Sequence, residues 1–292
     1  VRILHSLLWG KIRVVEVMNN ERVKPFLKWA GGKRRMLADI RSCVPEHFRR
    51  YYEPFVGAGA LLFDLQPAEA VINDINEELM NVYRVIESDV EGLIGDLEKH
   101  CNEKDYYYKI RDLDLSEDYK KMSDLEKASR IIYLNKTCFN GLFRVNKEGH
   151  FNVPFGKYSR PNIVNERTLR GVSRYFRENR VKMMTTDFAE AVEGAGDRDF
   201  IYLDSPYDPL STTSYFTSYS NDGFSREDQI RLHDLFIDLD RRGAFVLMSN
   251  SATPFIKDMY RDYRITFSST SRLINADGSK RGRIDEVLVT NY

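Results

Sequence analysis

The residues with the clearest chemical potential are Asp204, Ser205, Pro206 and Tyr207, which close the run FIYLDSPYDPL. The apolar Phe200–Ile201–Tyr202–Leu203 reads as a buried strand, so Asp204 is delivered to its tip. Pro206 fixes one backbone torsion and biases Ser205 toward extended geometry, which aims the Ser205 carbonyl. Tyr207 adds a flat face. Two hydrogen-bond acceptors beside a stacking platform suit a planar exocyclic amine such as N6 of adenine. Acceptors on both amine hydrogens favour the pyramidal form that attacks an electrophile, a stabilisation realised mainly in the transition state.

A second constellation is EPFVGAG. Gly57 and Gly59 allow a backbone to approach a ligand after a strand. Leu62 stands where a dinucleotide fingerprint requires its third glycine, which disfavours a nicotinamide-dependent oxidoreductase. Asp74, at the end of the next predicted strand, can accept hydrogen bonds from ribose hydroxyls, and the pair suggests an adenosine-type ligand without a pyrophosphate. A third stretch, FLKWAGGKRRM, taken alone reads as a packed Trp29 and a glycine turn before a helix near Lys33. Its other reading has Gly31 and Gly32 making room for a ligand beside Lys33.

The elements that would position these residues alternate. RRYYEPF, AEAVIND, VKMMTTD, FIYLD and AFVLMSN are strand candidates, the last three expected to be buried. NEELMNVYRVI is an amphipathic helix with Leu79, Val82, Tyr83 and Ile86 on one face. SREDQIRLHDLFIDLDRRG is a helix with Ser225 and Asp228 as a capping box and Gly243 beyond its end. The alternation predicts an α/β fold with a mostly parallel sheet covered on both faces, whose strand tips collect ligands. Glu53–Gly59, Asp74, Asp187 and Asp204 all fall at such tips. The middle, residues 88–165, breaks the alternation and reads as an insert held out from the sheet. It is helical at first, with a capping box at Ser123 and Glu126, and then turns through a hairpin around Lys147–Glu148–Gly149.

The formal net charge of +0 hides a pattern. From Glu87 to Ser129 there are 13 acidic and 7 basic residues, whereas Leu142–Arg160 and Arg272–Arg283 are each net +3. With the short runs Lys33–Arg35 and Arg49–Arg50, these make a nucleic-acid footprint worth testing. The 292 residues, 42% hydrophobic and 30% charged, are ordinary for a globular protein, and no apolar stretch reaches bilayer length. Cys43, Cys101 and Cys138 are far apart and lack metal-site spacing, so neither a disulfide framework nor a zinc site is expected, and the cytoplasm is the default compartment. Residues 1–22 read as an N-terminal appendage, with Met18 as a candidate start of the functional chain.

FLKWAGGK, EPFVGAG, NDIN, FNGLFRVN, FNVPFGKY and LDSPY, in that order, resemble the Dam-type N6-adenine DNA methyltransferases (D12 class, alpha group). The resemblance runs from about Pro25 to the C-terminus. It implies a Rossmann-like S-adenosylmethionine-dependent methyltransferase sheet formed by residues 23–87 and 166–292, with a helical and β-hairpin DNA-recognition domain at 88–165. It implies S-adenosylmethionine as cofactor, held by Trp29, Lys33, Phe55, Gly57, Gly59, Asp74 and Asp204. Asp204, Ser205, Pro206 and Tyr207 would hold a flipped adenine. Lys28, Phe139, Asn140, Leu142, Arg144, Pro154 and Tyr158 match positions that relatives use to read or invade double-stranded DNA, usually at GATC. A monomer that needs no metal and no membrane is implied, with a partner restriction endonuclease as the protein partner the resemblance allows. One departure is Ser205, where the family motif has proline. It motivates the rival reading of a catalytically weakened or inactive DNA-binding relative. Methylation of RNA or of a protein amide is a further rival, against which Asn140 and Arg144 in the hairpin region favour duplex DNA.

Overall fold

The computed structural model describes residues 23–29, 31–209, 224–268, 272–274, 282–284 and 286–292. The appendage 1–22 and residues 275–281 of the second basic run lie outside the described residues. The strands are β1 (Tyr51–Glu53), β2 (Glu69–Asn73), β3 (Arg180–Met184), β4 (Phe200–Leu203), β5 (Phe245–Ser251), β6 (Arg264–Phe267), β7 (Arg272–Ile274), β8 (Gly282–Ile284) and β9 (Glu286–Thr290). Seven form one sheet in the order β3-β2-β1-β4-β5-β9-β6. Its first five strands are parallel, and β9 runs antiparallel to both of its neighbours. β7 and β8 pair separately as a two-stranded ribbon.

The helices are α1 (Leu37–Ser42), α2 (Ala60–Leu65), α3 (Glu77–Ser88), α4 (Val90–Leu97), α5 (Lys104–Arg111), α6 (Asp118–Lys121), α7 (Asp124–Thr137), α8 (Glu166–Glu178), α9 (Phe188–Ala191), α10 (Arg226–Arg241) and α11 (Pro254–Met259). Side chains alternate across the sheet, and the two faces build two cores. Phe200 and Tyr202 of β4 join a core with Leu61, Leu79, Tyr83 and Phe176, from α2, α3 and α8. Ile201 and Leu203 join the other, with Leu232, Phe236 and Leu239 of α10. Both expected capping boxes form, Ser123 with Glu126 at α7 and Ser225 with Asp228 at α10.

The strand order decides where a ligand can sit. From β1 the chain winds outward to β2 and β3, then returns to β4 beside β1 and winds the other way to β5. The carboxyl ends of β1 and β4 therefore flank the crevice where the winding reverses. The glycine loop leaves β1 and the Asp204 turn leaves β4, so the two chemical constellations face one crevice.

Three expectations change. β3 is not buried: it is one of the sheet's two edge strands, with Arg180 and Lys182 exposed. Arg49 and Arg50 are not a plain solvated basic run. Both guanidiniums pair with the fully buried Asp199, at 3.0 and 2.8 Å, before β1 and β4 begin and so at the end of the sheet away from the crevice. The insert is not held out as a whole. Val90, Leu93, Ile94 and Leu97 of α4, and Ala128, Ile131 and Ile132 of α7, belong to the main core, because their apolar faces need a partner. A smaller core, Tyr107, Tyr133, Leu134, Cys138, Phe151 and Val153, lies beneath the hairpin. Among the described residues no helix is long and apolar enough to cross a membrane.

Candidate active site and DNA-facing surface

Asp204 follows β4 directly, and its surroundings come from four other segments. Lys33 enters from a 3-10 turn at Lys33–Arg35, and its ammonium lies 2.7 Å from Asp204 Oδ1. It also donates to the Gly31 carbonyl at 2.8 Å and sits 4.4 Å from the centroid of the Tyr207 ring. Lys33 is 4% exposed and the Asp204 side chain 16%, so water screens the pair weakly. Ser249 of β5 donates to the same Oδ1 at 2.8 Å. The Tyr207 hydroxyl donates to Glu286 of β9 at 3.1 Å, which fixes the ring's tilt. Behind the turn, Gln229 donates to the Pro206 carbonyl at 2.8 Å. Asn250 accepts from the Asp208 amide at 2.9 Å and donates to Gln229 at 3.1 Å. Lys33, expected beside a cofactor, thus pairs with Asp204 and Tyr207 as well as with the Gly31 carbonyl.

Ser205 is 2% exposed, and its hydroxyl has no hydrogen-bond partner. An unsatisfied buried hydroxyl is destabilising, so Ser205→Ala should raise the unfolding free energy by about 1 kcal/mol. Urea unfolding of the two forms checks this, and an unchanged or lower midpoint would show that the hydroxyl is satisfied in solution.

Across the crevice, Gly57 and Gly59 adopt φ +48° and +67°, a region that disfavours other residues. A Cβ at Gly57 would lie 3.0 Å from Trp29, and one at Gly59 would lie 2.9 Å from Phe63 and Tyr83. Asp74 buttresses this loop: its carboxylate accepts from the Gly57 amide at 3.1 Å and the Asn76 amide at 3.0 Å. Burial raises its pKa, and the two amides oppose the shift. Beside it Ile75 is 75% exposed, an apolar side chain at the crevice mouth that sequence reasoning passed over. Phe55 is packed rather than bare, stacked on Phe188 with centroids 5.4 Å apart.

Glu53, at the tip of β1, is buried and accepts from the Tyr51 hydroxyl at 2.9 Å. Burial pushes its carboxyl well above the usual range. The Tyr51 hydroxyl and the Leu62 amide oppose that shift, while the nearby Asp204 and Asp74 add to it. A carboxyl with a raised folded-state pKa binds its proton more tightly on folding. Its stabilisation is therefore complete below the unfolded-state pKa and is lost as pH rises toward the folded-state value. Across that window Glu53→Gln should gain on the wild type by up to about 1.4 kcal/mol per pH unit. Thermal melts at pH 6 and pH 8 check this, and parallel melting curves at both pH values would contradict it.

The residues expected to meet DNA are brought together by short contacts. Asn135 of α7 accepts from the Lys28 amide at 2.9 Å and donates to the carbonyls of Lys28 and Gly141 at 2.7 and 3.1 Å. Lys28 Nζ lies 5.2 Å from the Tyr158 ring centroid. The Phe139 amide donates to the Pro154 carbonyl at 2.8 Å, and the Phe139 ring is 51% exposed. Asn140 takes φ +56°, a conformation asparagine tolerates. Leu142 is half-buried against the small core. Arg144 is exposed and donates through Nε and Nη2 to Asn152 across the hairpin, at 2.6 and 3.1 Å. The hairpin forms as a narrow turn with the bridge Val145↔Phe151 rather than as long strands. Phe143 stacks on Trp29 at 4.9 Å, joining hairpin and glycine loop. Burial, with Lys28 and Arg34 adding to it, lowers the Lys136 ammonium to about 8, and the ammonium donates to the Phe26 carbonyl.

Sequence reasoning missed Asn135, Phe143, Asn152, Gln229, Ser249, Asn250 and Glu286. A signal existed for two of them. Gln229 heads the buried stripe Leu232, Phe236, Leu239 of α10, and Asn250 lies in the interior of a wholly buried stretch of β5. A polar side chain at a core position implies a specific partner.

A switch-point crevice with a glycine loop on one side and an Asp–Ser–Pro–Tyr corner on the other, beside an exposed hairpin, defines a Rossmann-like methyltransferase. Comparison makes the class specific: residues 29–273 match the D12 class N6 adenine-specific DNA methyltransferases, and the chain belongs to that family. It is 46% identical over 276 residues to the type II methyltransferase M1.LlaDCHI of Lactococcus lactis subsp. cremoris, covering 94% of this chain and 97% of that protein. It is 41% identical over 290 residues to the type II methyltransferase M.MjaIII of Methanocaldococcus jannaschii, covering 92% and 99%. The DNA adenine methylase of Escherichia coli K12 is 31% identical over 274 residues, covering 91% and 94%. The chain is an adenine-specific DNA methyltransferase.

Proposed function

We propose that the chain methylates N6 of adenine within GATC in double-stranded DNA, with S-adenosylmethionine as donor. The observation that carries this is the Asp204 corner, an anchored carboxylate beside an aromatic ring at the crevice. S-adenosylmethionine, when bound, supplies an electrophilic methyl group. The crevice fits it: Gly57 and Gly59 let the loop pack tightly on Trp29, Phe63 and Tyr83, Asp74 offers carboxylate lone pairs to hydroxyls, and the exposed Ile75 offers an apolar face to a purine. Trp29 and Phe55 would flank that space. Asp204 and the Ser205 carbonyl accept from the target amine, Pro206 holds the carbonyl's direction, and Tyr207 stacks on the base. Because the second acceptor is a backbone carbonyl, serine in place of the family's proline retains it, which favours an active enzyme over a weakened relative.

Residues 88–165 act as the target-recognition unit. Lys28, Lys136 and Tyr158 meet the backbone of the duplex, Phe139, Asn140, Leu142 and Pro154 enter it, and Arg144 reads a base edge. Extruding the adenine costs a few kcal/mol, which these contacts offset. The type II names of two relatives favour a role beside a restriction endonuclease. The test incubates purified protein with S-adenosylmethionine and a GATC duplex, then digests with endonucleases that cut only unmethylated or only methylated GATC. Protection from the first and cutting by the second is the expected result. Methylated adenine outside GATC would overturn the site, and no methylated adenine would overturn the activity.

A further inference from the structure

Asp204 Oδ1 already accepts two hydrogen bonds, from Lys33 Nζ at 2.7 Å and from Ser249 Oγ at 2.8 Å. A carboxylate oxygen offers two lone-pair directions, so this oxygen is filled. A carboxylate only accepts, so the single Ser249 proton is committed to Asp204. The Tyr202 hydroxyl, 3.1 Å from Ser249 Oγ, is then the donor in that contact. Tyr202 and Ser249 are both buried, on adjacent central strands, and are related by the register that pairs Tyr202 with Leu247. A chain of hydrogen bonds thus runs from Tyr202 through Ser249 to one oxygen of Asp204.

We propose that Ser249, oriented by Tyr202, is a positioning residue for methyl transfer: with Lys33 it commits Oδ1 to the protein and leaves Oδ2 to the target amine. The inference rests on the reading of Asp204 as amine acceptor. Without the brace the carboxylate can turn about Cβ–Cγ, and the acceptor direction is no longer fixed when the adenine arrives. Loss of orientation at the reacting centre slows the chemical step more than it weakens binding.

The test is steady-state methylation of a GATC duplex by full-length Ser249→Ala, Ser249→Thr and Tyr202→Phe, with thermal melts as controls. A hydrogen bond to a charged group corresponds to about 10- to 100-fold in rate. Ser249→Ala should therefore lose about that much kcat, with KM for DNA and S-adenosylmethionine changed by less than about threefold. Ser249→Thr keeps the hydroxyl and should recover most of the rate, and Tyr202→Phe should show a smaller loss in kcat. Wild-type kcat in Ser249→Ala, a loss confined to KM, or equal losses in the alanine and threonine variants would each overturn the proposal. If Ser249→Ala does not fold, Ser249→Cys, a weak donor of similar size, should give an intermediate kcat, and wild-type kcat in it would overturn the proposal. Asp204→Asn separates the two levels. If it is inactive while Ser249→Ala is fully active, the positioning role alone fails, and if it is fully active the reading of Asp204 fails as well.

Discussion

Asp204→Ala loses methyl transfer by at least about 10²–10³-fold, the scale observed when one preorganised polar partner of a transition state is removed. Three features of the corner set that expectation. The carboxylate lies at the tip of a fully buried strand, so its position is as fixed as the sheet. Lys33 and Ser249 hold one of its oxygens. The turn behind it is braced by Gln229 and Asn250, so no neighbouring acceptor can swing in to replace it. DNA affinity should stay within about threefold, because phosphate contacts dominate it and the proposed ones lie on the hairpin and Lys28 side. The substitution also strands the buried Lys33 ammonium. Removing one partner of a buried pair costs about 3–5 kcal/mol, so Asp204→Asn, which keeps an oxygen for Lys33 Nζ and Ser249 Oγ, is the milder companion. Methylation rate and DNA binding, measured on both variants, check the expectation, and an active Asp204→Ala would contradict it.

Arg144→Ala relaxes sequence discrimination. Asn152 takes the Nε proton and one Nη2 proton, so the outer edge of the fork, Nη1 with the second Nη2 proton, keeps three donors. That edge can pair with O6 and N7 of a guanine, and the Asn152 clamp restricts it before DNA arrives. A bidentate pair is worth about 1–3 kcal/mol of discrimination. The ratio of kcat/KM for GATC over duplexes with the guanine pair replaced should then fall about 5- to 150-fold. Asn152→Ala should move the ratio the same way by less. An unchanged ratio in Arg144→Ala would place the reading elsewhere on the hairpin.

Much of this was legible in the sequence because local signals agreed. The buried strand ending in Asp204, the glycine loop after β1, and the capping boxes at Ser123 and Ser225 each follow from short-range rules of period, turn and cap. The residues expected to meet DNA came from the resemblance alone, and the structure shows that Lys28 contacts Asn135 and Tyr158. What remained hidden depends on long-range pairing. Lys33 meets Asp204 across 171 residues and Ser249 reaches it across 45. Arg49 and Arg50 read as a surface run because nothing local reveals Asp199 as their partner. The strand VKMMTTD reads as buried until the sheet order puts it at the edge. The insert reads as detached because composition reports its charge and not which helix faces are apolar.

All of this turns on where the target amine sits. A crystal structure of the protein with a GATC duplex and a non-reactive analogue of S-adenosylmethionine measures it directly. The account predicts the adenine out of the stack, its N6 about 3 Å from both Asp204 Oδ2 and the Ser205 carbonyl, with Lys33 and Ser249 still on Oδ1. An adenine held out of the stack but bound away from Asp204, or a corner closed by protein side chains with no room for a base, would contradict it.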